Sequence, residues 1–420
     1  METVADARPV GVQFSDSTVE RITKSAAAVQ SWVEAHGYQG YEPFDGLSSP
    51  LKRLTFGNLL AERILQQAVR QSPLNIRPLL GIKPLDSTKG RGMMAWGYLL
   101  LHRATGATDS WTKAVDCLRW LDVHRSPKFA KHSWANFFDF SSRGGSYYKD
   151  DSIIVWTSLN AQAYFEAFEQ SQDQWFLDIA TSACDWIVSL PREHTDRGDC
   201  LSYFAHGQES IHNANMLGAA ALARAAMHTG RQNYADAARE AMRYSCLRML
   251  PNGAWWYAED DMYHWIDNFH TGYNLDSLKY YIEFTGDTEF SEHLRKGLRF
   301  YMDHLFEPSG RPKYYDNRPY PIDIQCASQA IDTLALFGAD EPDAMSLAIR
   351  VADWTIQHMQ DRKGFFYYRK YPLGVTARTP MLHWGQATMF KGLAHLIYRL
   401  RSGKAAPESA VSARYSPVGQ

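Results

Sequence analysis

The segment NGAWWYAEDDMYHWIDNFHTGYNLDSLKYYIE, residues 252–283, decides the reading of the fold. An Asn252-Gly253 turn opens it, an aromatic run follows, and an acidic cluster (Glu259, Asp260, Asp261) precedes Asp267-Asn268-Phe269-His270. That polar segment leads into a run of helical period. Thr285-Gly286 closes that helix, because glycine adopts the left-handed conformation of a helix C-terminus without strain. Carboxylate, imidazole, indole and phenol therefore gather at one helix start.

The same layout recurs outward in both directions. Thr105-Gly106 and Thr229-Gly230 end helices as Thr285-Gly286 does, and Gln170–Gln174 and Gly338–Pro342 do the same job. A second helix follows each turn within a few residues, and after it comes an aromatic pair or run. These runs begin at Tyr147, Tyr203, Trp255, Tyr314 and Phe365, which is 56, 52, 59 and 51 residues apart by subtraction. Two helices per unit with a period in the fifties predict an α/α solenoid or toroid. The first helix of each unit, such as Met216–Leu222, is apolar nearly all round and must be covered on every side. The second carries charge on one face. Inner and outer helices in alternation give an all-α, (α/α)6-type barrel with strand-like aromatic segments at one mouth. About thirteen helices allow six hairpins or seven.

Composition fits one large closed domain, expected over 17–402, with a flexible leader (1–16) and a disordered tail (403–420). A formal charge of −2 implies no basic face, which argues against nucleic acid, or an anionic membrane as principal partner. No apolar run of spanning length appears, so no membrane insertion is expected. Cys117, Cys184, Cys200, Cys246 and Cys326 are scattered and odd in number, and predict neither a disulfide framework nor a metal site. A cytoplasmic setting, no metal and no cofactor are the expectations, with oligomeric state open. Nucleotide, zinc-protease and serine-hydrolase motifs are absent in any suitable context. Abundant Trp and Tyr beside charged residues match the needs of a glycan, whose apolar faces pack on rings while hydroxyls take polar partners.

Long connections collect the candidates at one mouth: Asp151; His212 and Asn213; Trp256; Asp260 and Asp261; Asp267, Asn268, His270 and Tyr273; Tyr315, Arg318 and Asp323; Tyr368 and Arg369; His383 and Trp384. Each has a plainer reading as well. Asp151 and Asp323 suit N-caps, Asp260-Asp261 a solvated loop, His270 a satisfied core histidine, and the aromatic pairs a hydrophobic lid. Glycoside hydrolysis needs two carboxyls flanking the bond, and Asp151 with Asp260 or Asp261 would serve as acid and base. Elimination or epimerisation of a uronate instead needs a group to neutralise the carboxylate and a His or Tyr to move a proton. His270, Tyr273, Tyr315 and Arg318 suit that scheme, so the inventory serves either chemistry. Trp256, Tyr315 and Trp384 would stack on the sugar.

WIDNFHTGYNLDSLKYYIEFTGDTEF, GRPKYYDNRPYPIDIQCASQAI, IHNANMLGAAALAR, QDRKGFFYYRKYP and HWGQATMF resemble the VpsJ-like bacterial polysaccharide biosynthesis family over roughly residues 40–400. That resemblance implies an (α/α) barrel tied to exopolysaccharide metabolism and assigns no catalytic residue. More remotely the chain is similar to unsaturated glucuronyl hydrolases, N-acylglucosamine 2-epimerases and glucuronyl C5-epimerases, a likeness of architecture that leaves function open. The expectation is a carbohydrate-active enzyme on a uronic-acid-containing polysaccharide or oligosaccharide, hydrolysis ahead of lyase or epimerase chemistry. A non-catalytic glycan-binding component of polysaccharide assembly is the other class.

Overall fold

In the computed structural model the described residues are 16–142 and 145–402. The leader and tail expected at 1–16 and 403–420 lie outside them, except that Asp16 already begins helix α1. The helices are α1 Asp16–Ala35, α2 Leu59–Gln71, α3 Thr88–Thr105, α4 Thr108–Val123, α5 Ile154–Ser171, α6 Gln174–Val188 and α7 His212–Thr229. They continue as α8 Gln232–Cys246, α9 Asn268–Thr285, α10 Ser291–His304, α11 Ile324–Phe337, α12 Pro342–Met359 and α13 Thr388–Ser402, the last preceded by a π-turn over Leu382–Ala387.

Helices α3, α5, α7, α9, α11 and α13 pack side by side in that order, and α13 returns to α3, so the inner ring closes with six members. Helices α4, α6, α8, α10 and α12 each cover the inner helix before them. Helix α1 covers α13, so the two ends of the chain supply the sixth hairpin. A seventh hairpin does not form, because α2 stands outside the ring against the mouth loops. Inner helices are buried nearly all round: every residue of α11 is buried, as is α7 from His212 to Ala225.

Local chemistry repeats with the hairpins. Gly106, Gly230 and Gly286 close α3, α7 and α9 in the left-handed conformation, each amide donating to the carbonyl four residues back. On the mouth side Gly364, at φ 99°, brings its backbone so near α1 that a Cβ would meet the Ala28 carbonyl oxygen at 2.5 Å. Gly198, Gly253 and Gly310 press on α8, α10 and α12 in the same way, which marks α1 as the sixth outer helix.

The strand-like segments join neighbouring units around the mouth. The residue before an inner helix pairs with the next aromatic segment: Ile153 with Phe204, Ile211 with Ala258, Asp267 with Tyr315 and Asp323 with Arg369. Met381 closes the series on Tyr41. Thus residues 36–87, between α1 and α3, form the sixth mouth connection.

Candidate active site

Two histidines at inner-helix starts share one arrangement. At the start of α9, Asp267 Oδ1 accepts the His270 amide at 3.0 Å, and Asp267 Oδ2 accepts His270 Nδ1–H at 2.6 Å and Trp265 Nε1–H at 3.0 Å. In the turn before α13, Glu42 Oε1 accepts the His383 amide at 2.7 Å and lies 2.8 Å from His383 Nδ1, with Ser87 Oγ 3.0 Å from the same nitrogen. A carboxylate carries no hydrogen of its own, so it fixes the Nδ1–H tautomer in both rings and leaves the Nε2 lone pair available as a base. Neither Nε2 has a hydrogen-bond partner among the described residues. The starts of α9 and α13 touch through Phe269 and Trp384, ring centroids 5.3 Å apart.

Burial sets the electrostatics of the floor. His383 is buried and its imidazolium is disfavoured, first by desolvation, against the pull of Glu42. Lys89 is buried in the first turn of α3, its ammonium 5.5 Å from the Trp156 ring centre and 5.6 Å from that of Tyr273. No ion pair holds it among the described residues, and desolvation pulls it down to about 8.

Aromatic rings form a circuit around this floor. Phe44, Phe140 and Tyr147 follow one another at 6.1 and 4.6 Å, and the Tyr147 hydroxyl donates to Glu209 at 2.7 Å. Tyr263 links Glu209 to Tyr257, which lies 4.6 Å from His270. Phe269 and Trp384 return the circuit to Phe44, 5.8 Å from Trp384. Glu209 is half-buried, and desolvation raises its carboxyl despite the Tyr147 and Tyr263 hydroxyls. Below lies a cavity of about 20 Å³, room for one water, bounded by Trp96, Tyr273, Asp276, Gln329, Asp332 and Lys391. Trp156 Nε1, Asn213 Oδ1, Asp276 Oδ1, Ser277 Oγ and Gln325 Oε1, all on inner helices, are buried with no hydrogen-bond partner among the described residues.

The expected site residues divide into two groups. Asp267, His270, Tyr273, Asp323, Tyr368, Arg369, His383 and Trp384 meet around the mouth. Asp323 accepts from Trp384 Nε1 and the Gln325 amide, both at 2.8 Å, and pairs with buried Arg369, so these residues fix the indole in place. Tyr368 takes a hydrogen bond from Arg70, and the Arg318 guanidinium covers the half-buried Tyr315 ring at 4.6 Å. Asn213 stands one turn above Leu217 of the cavity wall.

The others stand apart. Asp151 lies at the rim between Lys128 at 2.5 Å and His206 at 3.2 Å; burial opposes its charge, but Lys128 outweighs it and holds the carboxyl below its usual range. Asp260 caps a short exposed turn through the Met262 amide, and Asp261 is fully exposed. Asp151 is thus engaged by Lys128 and His206, while Asp260 and Asp261 belong to an exposed turn. His212 is buried between Ser245 and Glu259, Asn268 between Tyr301 and the Leu305 carbonyl, and Trp256 stacks on His264. Sequence reasoning passed over Glu42, Lys89, Trp156, Tyr257 and Glu209. Glu42 lies in YEPFDG, which reads as a linker until α1 is known to close the ring.

No family model matches the chain, and no curated relative does, so the VpsJ-like resemblance rests on its motifs alone. Solved structures do match. A cellobiose 2-epimerase from Bacillus thermoamylovorans is similar at TM-score 0.61 and 11% identity, over 76% of this chain and 88% of that one. The fold is the six-hairpin (α/α) barrel. A polysaccharide lyase is similar at TM-score 0.60 and 10% identity, over 94% and 100% of the two chains. An unsaturated glucuronyl hydrolase specific for heparin is similar at 0.59 and 11%, over 91% and 97%.

Proposed function

We propose that this protein is a carbohydrate-active enzyme that moves a proton at a sugar carbon next to a carbonyl, an epimerase or isomerase. The observation that carries it is the pair of carboxylate-held histidines, each with Nε2 available, on two inner-helix starts in ring contact. One Nε2 takes the proton from the carbon, leaving an enediolate. The other, protonated on both nitrogens, gives its Nε2 proton to the opposite face and inverts the centre, or gives it to the neighbouring carbon while the hydroxyl proton passes between the two enediolate oxygens, which shifts the carbonyl. The Lys89 ammonium, charged at neutral pH, would stabilise the enediolate oxygen. Sugar hydroxyls would partner the orphaned Trp156, Asn213 and Gln325 atoms, each of which costs about 1–3 kcal/mol while buried alone. Solved barrels of this fold include a D-mannose isomerase alongside the cellobiose 2-epimerase, which supports the reading. The resemblance supports a bacterial exopolysaccharide sugar as the substrate.

Glu209 supports a second reading. A carboxyl that burial raises, set beside aromatic rings, suits a general acid toward a glycosidic oxygen, in hydrolysis or elimination. The test is incubation with reducing mono- and oligosaccharides, uronic acids included, in deuterium oxide, read by NMR and mass spectrometry. Deuterium at the carbon beside the carbonyl, lost by about a hundredfold or more in H270Q and in H383Q, is the expected result. Products heavier by water, or carrying an unsaturated end, with no such deuterium, would overturn it in favour of the Glu209 reading.

A further inference from the structure

Helix α2 is turned inside out. Its buried side carries Glu62, which accepts from Ser141 Oγ at 2.9 Å, and Gln66, which bonds both the amide and the carbonyl of Ser141. Leu60 and Ile64 face outward and are 64% and 62% exposed. The flanking turns expose further large apolar side chains, Leu51, Leu54 and Phe56 before the helix and Leu74 and Leu79 after it. Phe56 holds the left-handed conformation at φ 50° with 91% of its surface in water. With Leu59, eight of the fifteen exposed large apolar side chains among the described residues fall between positions 51 and 79. Such a concentration on one surface marks an interaction site.

Charge selects the occupant, and it does so locally, contrary to the expectation that a net charge of −2 leaves no basic face. Arg53, Arg63 and Lys83 border the apolar residues, and none has an ion partner among the described residues. Between positions 50 and 84 the one carboxylate is Glu62, which is buried. We propose that this surface docks on an anionic lipid bilayer, its aliphatic and Phe56 side chains in the interface and its three cations at headgroup phosphates. A second copy of the chain fits worse, because a two-fold contact would set these cations against their own kind with no exposed carboxylate between them. No described helix is long and apolar enough to cross a membrane, so the contact lies in the plane of the surface. Because α2 packs on the mouth loops, docking sets the barrel mouth beside the bilayer.

Co-sedimentation of the full chain with vesicles tests this. Binding to phosphatidylglycerol–phosphatidylcholine vesicles, weaker with added salt and absent on phosphatidylcholine alone, is expected. In L60D/I64D and in R53E/R63E, partitioning should fall by about tenfold or more while the thermal midpoint stays at the wild-type value. F56N, whose asparagine tolerates the left-handed backbone, reads the same contact if L60D/I64D fails to fold. No vesicle binding by the wild type, or binding indifferent to these substitutions, overturns the proposal. So does a dimer in analytical ultracentrifugation that L60D/I64D dissolves, which assigns the surface to a second copy.

Discussion

Replacing Asp323 by Ala tests the network that holds the mouth aromatics. Its carboxylate has no exposed surface and accepts from Arg369, the Trp384 indole and the Gln325 amide. Arg369 is 2% exposed, and apart from Asp323 it meets a long contact to Gln71 and the Tyr368 and Tyr314 rings. Removing one partner of such a pair leaves a buried charge without compensation, at a cost of about 3–5 kcal/mol. Unfolding entropy near the midpoint is about 2.1 cal/mol/K per residue, which over this chain is roughly 0.9 kcal/mol/K. The calorimetric midpoint should therefore fall by roughly 3–6 °C. D323L/R369M, which removes both charges, should recover most of that loss. A midpoint for D323A within about 1 °C of wild type, or a double variant no better than the single one, refutes the reasoning.

Lys89→Met should raise the midpoint at pH 7. Burial lowers the amine from 10.5 to about 8, so between those values the unfolded chain binds more protons and stability rises with pH. Below that window the full penalty of about 3 kcal/mol applies, and the advantage of K89M over wild type should vanish above it, as calorimetry across pH will show. Asp276→Asn should stabilise in the opposite window. Burial, then the Asp332 charge, raises the Asp276 carboxyl, so the folded state binds the extra proton and stability falls as pH rises above the ordinary value of 3.8. The gain of D276N in thermal midpoint should be present at pH 7 and absent near pH 4. Asp267→Asn should keep the amide cap but present an N–H to His270 Nδ1, shifting the ring to the other tautomer. Turnover should then fall by about a hundredfold or more, with about 1 kcal/mol of stability lost because the amide nitrogen no longer accepts from Trp265 Nε1–H, and D267A, which loses the cap too, should lose about 1 kcal/mol more.

What was legible in the sequence is what local chemistry repeats. Thr-Gly C-caps recur in three hairpins and aromatic runs follow five of the outer helices, and they announce the barrel without any tertiary information. The hairpin count was not legible, because α1 joins α13 and α12 across most of the chain, as Arg21 does with Asp353. The same distance hid Glu42, some 340 residues from the His383 it holds. Asp151 looked catalytic because the sequence does not show that Lys128, 23 residues back in its own connection, and His206, from the next one, both close on it at the rim. Helix α2 reads from the sequence only as a helix at roughly 53–71, since a sequence pattern does not show which face points inward.

Whether an Asp at these helix starts is a cap or a site residue proves to be a false choice. Asp267 caps the His270 amide with one oxygen and orients the imidazole with the other. Asp323 caps Gln325 and holds Arg369 and Trp384, while Glu42 takes the His383 amide and faces its Nδ1. A carboxylate has two oxygens and about four lone pairs, so one group can satisfy an orphan helix amide and a side chain at once. The first amides of the inner helices and the polar side chains of the mouth lie in one layer, and the carboxylates placed there serve both. Each such residue therefore ties the rigidity of a barrel helix to the orientation of the group beside it, as a site needing fixed geometry requires.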